Sequence, residues 1–164
     1  MKLSFLLRKA LSFKRLPYFE QLWFLPVWML LGLSRFAIIV FAFRRLAPWL
    51  GAHIQACVWV PVLGRREEAL ALHIGRVVRL AARYTPWESN CFPQAVVARL
   101  LLGLYGVPYT LFLGLTRDQQ ISGITAHAWV AAGRVSVVGG NSFDQFTVVG
   151  CFASPRLAAL FANT

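Results

Sequence analysis

Cys91 follows directly on the run Pro86-Trp87-Glu88-Ser89-Asn90, and His127 sits in Thr125-Ala126-His127-Ala128-Trp129-Val130. A thiol and an imidazole together make a nucleophile at neutral pH, because the imidazole takes the thiol proton and the thiolate attacks a carbonyl. The sequence around Cys91 predicts that it opens a helix, with Ser89 or Asn90 as the cap. Unpaired N–H groups and the positive end of the helix dipole gather there. A free thiol has a pKa of about 8.5, which such a site lowers when a histidinium is close. The same N–H groups can hold the oxyanion of a tetrahedral intermediate.

Each of these residues also has a purely structural reading. Cysteine is among the most buried residue types, and Cys57 and Cys151 are read as core. His53 and His73 are read as hydrogen-bonded structural histidines. His127 differs because strand alternation sets Thr125, His127 and Trp129 on one face and Ala126, Ala128 and Val130 on the other, leaving an imidazole between alanines in need of a partner. A third group should orient that imidazole. Asn141, after Gly139-Gly140, is the first candidate and Asp144 the alternative; Asp118 falls in an expected hairpin turn and Glu88 lies before the helix. Trp87 and Trp129 are expected either to wall a substrate channel or to be core. The proposed chemistry calls for no metal and no cofactor.

The elements that must position these groups follow from periodicity. Arg65 to Tyr84 reads as an amphipathic helix, with Leu70, Ile74, Val77 and Ala81 on one face and Arg76, Arg79 and Arg83 on a solvated one. The next helix, starting at Cys91, carries Ala95, Ala98, Leu101 and Leu102 and closes at Gly106 and Pro108. Thr110–Leu115, Ile124–Ala131 and Arg134–Val138 then read as strands separated by turns at Arg117–Gly123 and Ala132-Gly133. N-terminal helices followed by an antiparallel meander make the chain α+β. A nucleophile at a helix start packed on the sheet, with its base on a strand of that sheet, resembles the arrangement that papain-like and transglutaminase-like sites use.

The chain has 164 residues, 58% of them hydrophobic and 14% charged, with net charge +11. That length suits one compact unit, divided here into an apolar basic segment, 1–60, and a domain, 61–164. Residues 1 to 50 hold eight Lys/Arg against Glu20, a balance of +7, leaving +4 for the remainder. A basic face attracts nucleic acid, anionic membranes or acidic partners alike, but no nucleic-acid-binding motif is found, so nucleic acid is not an expected partner. Three cysteines give no even disulfide framework, and charges at Arg8, Lys9, Lys14 and Arg15 interrupt any signal-peptide core. The expected setting is cytoplasmic, either free or peripheral at the inner membrane face. Leu22 to Phe43 is as long as a bilayer span and carries one charge, Arg35. Pro26, Gly32 and Arg35 favour two helices or one kinked helix, packed on the domain or lying at a membrane surface.

The motifs together resemble the leader-peptidase half of the lasso-peptide biosynthesis B proteins, a branch of the transglutaminase-like cysteine proteases. The resemblance runs over residues 65 to 153. It is carried by Tyr84-Thr85-Pro86-Trp87, Cys91-Phe92-Pro93-Gln94-Ala95, Gly106-Val107-Pro108, Leu113-Gly114-Leu115, Ala126-His127-Ala128-Trp129-Val130, Gly133-Arg134-Val135 and Gly139-Gly140. It implies Cys91 as nucleophile, His127 as base, and removal of the leader from a ribosomally made precursor peptide. A separate ATP-dependent, asparagine-synthetase-like cyclase would then close the ring. Many members carry an acidic residue soon after the third strand, where this chain has Val138-Gly139-Gly140-Asn141. Residues 1–60 do not resemble the family's small leader-recognition domain, so a separate leader-recognition protein is an expected partner. The competing readings are a transglutaminase-like acyltransferase or amidase on another peptide, and a membrane-surface scaffold with a vestigial site.

Overall fold

A computed structural model describes residues 13–41, 45, 50–54, 59–118, 123–140 and 142–161. Helix α1 (Tyr18–Val40) runs unbroken through Pro26 and Gly32, so the apolar stretch is one helix and not two. Proline lacks the N–H that would bond Leu22 O; both residues are exposed, and water can serve that carbonyl. Val27 and Leu31 bury against α2 (Arg65–Ala82) and α3 (Cys91–Leu104).

Polar contacts pin α1 along its length. His73 Nδ1 lies 2.8 Å from Oε1 of the buried Glu20, Trp23 Nε1 donates to Tyr105 Oη at 2.7 Å, and Trp28 Nε1 donates to Tyr84 O at 3.1 Å. Arg35 pairs with Glu88 at 3.4 Å, and a Cβ on Gly32 would meet the Trp87 ring at 2.8 Å. Among the described residues α1 is the one helix long and apolar enough to cross a bilayer. Its contacts from Glu20 to Arg35 fasten one face of it to the domain, while most of the helix stays exposed.

In α2 the buried residues Ala71, Ile74, Val77, Val78 and Ala81 recur at helical spacing. Glu67 accepts a bond from the Gly64 N–H at 3.0 Å, satisfying a donor at the helix start. The arginine row is exposed, as expected, with one difference: Arg79 reaches the sheet and donates to Val137 O. Burial first, then the neighbouring Arg76 and Arg83, hold the Arg79 guanidinium below the usual arginine range.

Among the described residues five antiparallel strands form one sheet in the order β1-β5-β2-β3-β4, where β1 is Ala52–Ile54, β2 Thr110–Asp118, β3 Gly123–Ala132, β4 Val135–Val138 and β5 Thr147–Ala153. The fold is α+β, and the three expected strands are its β2, β3 and β4. The first two run longer than expected: the anticipated turn residues Arg117 and Asp118 pair with Ile124 and Gly123. The meander was only part of the sheet, since β5 returns to pair with β2 and β1 pairs with β5. A short helix α4, Pro155–Phe161, follows.

The sheet has a core on each side. Leu111, Ala128, Val130 and Ala132 join α1, α2 and α3 in the larger cluster. Phe112, Trp129, Ala131 and Cys151 form a smaller one on the other face, closed by Phe143, Phe146 and Val148.

Candidate active site

Cys91 is the first residue of α3 and half-buried at the edge of the larger core. The segment before it is fixed by a local polar network. The Thr85 hydroxyl lies 2.9 Å from Ala82 O, 3.0 Å from Trp87 O and 2.9 Å from Ser89 Oγ, while Gln94 Nε2 donates to Ser89 O at 2.7 Å. Asn90 occupies the cap position in extended geometry, without a side-chain cap bond. The first helical bond is Gln94 N to Asn90 O, 3.3 Å. Pro93 falls where a missing N–H deprives the helix of nothing, and the Cys91 N–H has no intrahelical acceptor.

His127 lies on β3, half-buried, on the face of Trp129. Its ring stacks on Trp129 at 5.9 Å between centroids and on Phe146 at 4.8 Å. Room for this stack comes from its cross-strand partner Gly114, where a Cβ would lie 2.8 Å from both Phe146 and the Trp129 ring. Nε2 of His127 lies 2.8 Å from Gly139 O. A carbonyl can only accept, so Nε2 carries the proton, and in the neutral ring Nδ1 is the bare, basic nitrogen. Ser142 Oγ donates to the same carbonyl at 2.8 Å and helps to fix it.

Gly139 is indispensable to this arrangement. It follows β4 with φ +83°, in the left-handed region that favours glycine. A Cβ there would stand 2.5 Å from Trp129 Cβ and 2.6 Å from Ala128 O. The group seen orienting the imidazole is therefore a main-chain carbonyl, which no residue-type reading could name. The paired glycines after a strand were the available signal.

The other anticipated site residues are placed as follows. Asn141 lies outside the described residues. Asp144 is exposed in the turn between Ser142 and Phe146 and makes no hydrogen bond to His127. Trp129, 1% exposed and stacked on Phe112, belongs to the smaller core. Trp87 is half-buried against α1, with ring contact to Trp28 at 4.7 Å. His73 has the structural partner Glu20, while His53 packs edge-on to Phe152. Among the described residues no cluster of His, Cys, Asp and Glu is suited to a metal.

Cys91 and His127 are not joined by a hydrogen bond in this conformation. Cys91 borders the core on the side of Ala128, whereas the imidazole leaves β3 on the side of Trp129. Ile124, Thr125 and Ala126, which precede His127, are exposed, so β3 is open to solvent just before the imidazole.

Residues 37–151 match the family model of the Transglutaminase-like superfamily. The chain belongs to that superfamily. Both Cys91 and His127 lie within the match, and the superfamily includes cysteine peptidases and acyltransferases. No curated protein and no solved structure matches the chain.

Proposed function

We propose that this superfamily member is a cysteine peptidase that removes the leader from a ribosomally made lasso-peptide precursor. The observation that carries the reading is Cys91 as the first residue of a helix within the superfamily match. The finer assignment to leader removal is supported by the motif resemblance around Cys91, His127 and Gly139-Gly140.

In the proposed reaction the precursor's leader–core carbonyl is drawn to the start of α3, where the Cys91 N–H can receive the developing oxyanion. Nδ1 of His127 takes the thiol proton, the thiolate attacks, and the imidazolium returns the proton to the leaving amine. Water then hydrolyses the thioester and releases the leader as an acid. Nδ1 is suited to this task because Gly139 O holds the other ring proton. Substrate binding must bring the thiol and imidazole within transfer distance. Because the two now border opposite sides of the sheet, this means moving the start of α3 relative to β3, not only shortening a long hydrogen bond. A separate leader-recognition protein presents the precursor, and an ATP-dependent cyclase uses the exposed amine. Asn141, or Asp144 in its place, is the side chain proposed to assist His127.

The test is mass spectrometry of a precursor incubated with wild-type protein, Cys91→Ala and His127→Ala, with and without the leader-recognition protein. Free leader acid formed only by the wild type is the expected result. An added amine captured as an amide, with little acid, would instead identify an acyltransferase. Equal cleavage by wild type and Cys91→Ala would refute the assignment.

A further inference from the structure

The face of α1 turned away from the domain is apolar from end to end. Tyr18, Leu22, Leu25, Met29, Leu33 and Phe36 are each at least 57% exposed, and Ile39, Val40 and Phe41 continue the row. From Tyr18 to Val40 the exposed apolar residues follow one another at steps of three or four, so the side chains lie in one nearly straight stripe. At 1.5 Å per residue the helix is about 34 Å long. Neither charge within it interrupts the stripe, because Glu20 turns inward to His73 and Arg35 turns to Glu88.

Both ends of the stripe are basic. Lys14 and Arg15 are exposed before it and Arg45 after it. Beside its C-terminal half a cavity of about 480 Å³ opens between α1 and α3, lined by Leu33, Ile38, Phe41 and Leu100 with Arg45 and Arg99. Two buried polar atoms on this cavity, Ser34 Oγ and Arg99 Nε, have no partner among the described residues. An apolar slot with cations and orphaned donors suits a chain that is apolar along its length and anionic at its head.

We propose that α1 lies flat in the interface of an anionic phospholipid leaflet, its stripe among the acyl chains and its basic ends at the headgroups, with one lipid tail entering the cavity beneath Arg45 and Arg99. Apolar face and flanking cations are the two features that hold an interfacial helix. A second copy is a poorer occupant, since the first fifty residues of each copy carry +7 and repel. A span is opposed by the contacts that fasten the other face of the helix to the domain.

Flotation of the full chain with vesicles tests this independently of the Cys91 site. The wild type is expected to float with equimolar phosphatidylglycerol–phosphatidylcholine vesicles and much less with phosphatidylcholine alone, since each surface cation contributes roughly fivefold in partitioning. Leu25→Asp with Met29→Asp, both at exposed positions, should lower binding more than about tenfold with an unchanged circular dichroism spectrum. Arg45→Gln with Arg99→Gln should weaken the preference for anionic vesicles by up to roughly 25-fold, fivefold for each cation, while Lys14 and Arg15 retain part of it and binding to neutral vesicles is unchanged. The proposal is overturned if the wild type floats with neither vesicle or if the Asp variant floats as well as wild type. It is equally overturned if the protein resists alkaline carbonate extraction as a span does, or if the stripe proves to hold together a dimer that the Asp variant dissolves.

Discussion

Gly139→Ala separates two physical effects that its neighbour Gly140 allows to be measured apart. Gly140 has φ +72° with nothing within 4 Å of a built Cβ, so Gly140→Ala carries conformational strain alone, about 1–2 kcal/mol. Gly139 adds to its φ of +83° a Cβ placed 2.5 Å from Trp129 Cβ and 2.6 Å from Ala128 O. Overpacking against groups that cannot swing aside adds roughly 1–3 kcal/mol, bringing Gly139→Ala to roughly 2–5 kcal/mol. Guanidinium unfolding gives both values. The displaced carbonyl must also release His127 Nε2, now 2.8 Å away. Nitrogen-15 NMR of the neutral imidazole should show the Nε2–H tautomer in the wild type, with the bond lost in Gly139→Ala and kept in Gly140→Ala. Equal destabilisation by the two substitutions would refute the steric argument, and an Nδ1–H tautomer in the wild type would refute the assignment of the basic nitrogen.

Three further outcomes follow from contacts outside the site. His73→Ala strips the buried Glu20 of its hydrogen-bonded partner and should cost about 3 kcal/mol, the low end of the range for buried pairs because the imidazole is 35% exposed. The double variant Glu20→Leu with His73→Leu should lose far less in the same denaturation assay, and equal losses would count against the pair. Arg76→Gln removes one repulsive neighbour of Arg79 and should raise stability by roughly 0.2–0.5 kcal/mol at low salt, an effect that fades at about 1 M salt. Burial, partly offset by Arg99, pushes the Tyr109 phenol up. Its contribution is therefore complete below the unfolded value of about 10 and is lost as pH rises through the folded value. Stability of the wild type should fall across that alkaline window, and Tyr109→Phe should flatten the fall; parallel curves would refute the shift.

What could be read from the sequence was whatever depended on local periodicity. Ala71, Ile74, Val77 and Ala81 defined α2, and alternation in β3 correctly separated the face of His127 and Trp129 from that of Ala128 and Val130. What depended on pairing between distant segments could not be read. Strand β5 contains Gly150 and is secured by β2 on one side and the three-residue β1 on the other. Neither neighbour is adjacent in the chain, so nothing in Thr147–Ala153 alone announced a strand. Trp129 was open between channel and core for a similar reason, since its burial depends on Phe112 from β2 and on Phe143 and Phe146 from the turn before β5.

The three irregularities in the apolar N-terminal stretch show how sequence signals become structure. Pro26, Gly32 and Arg35 looked unsuited to a free membrane span, and the last two have partners in the domain. Gly32 gives the Trp87 ring room to approach, and Arg35 meets Glu88. Trp87 and Glu88 belong to the segment that leads directly into Cys91. The helix that carries the exposed apolar stripe therefore also buttresses the approach to the thiol, through Trp28 against Trp87 and Arg35 against Glu88. An element loosely packed on the domain would need neither contact. If α1 seats on a leaflet as proposed, these two contacts are what connect that helix to the residues before α3.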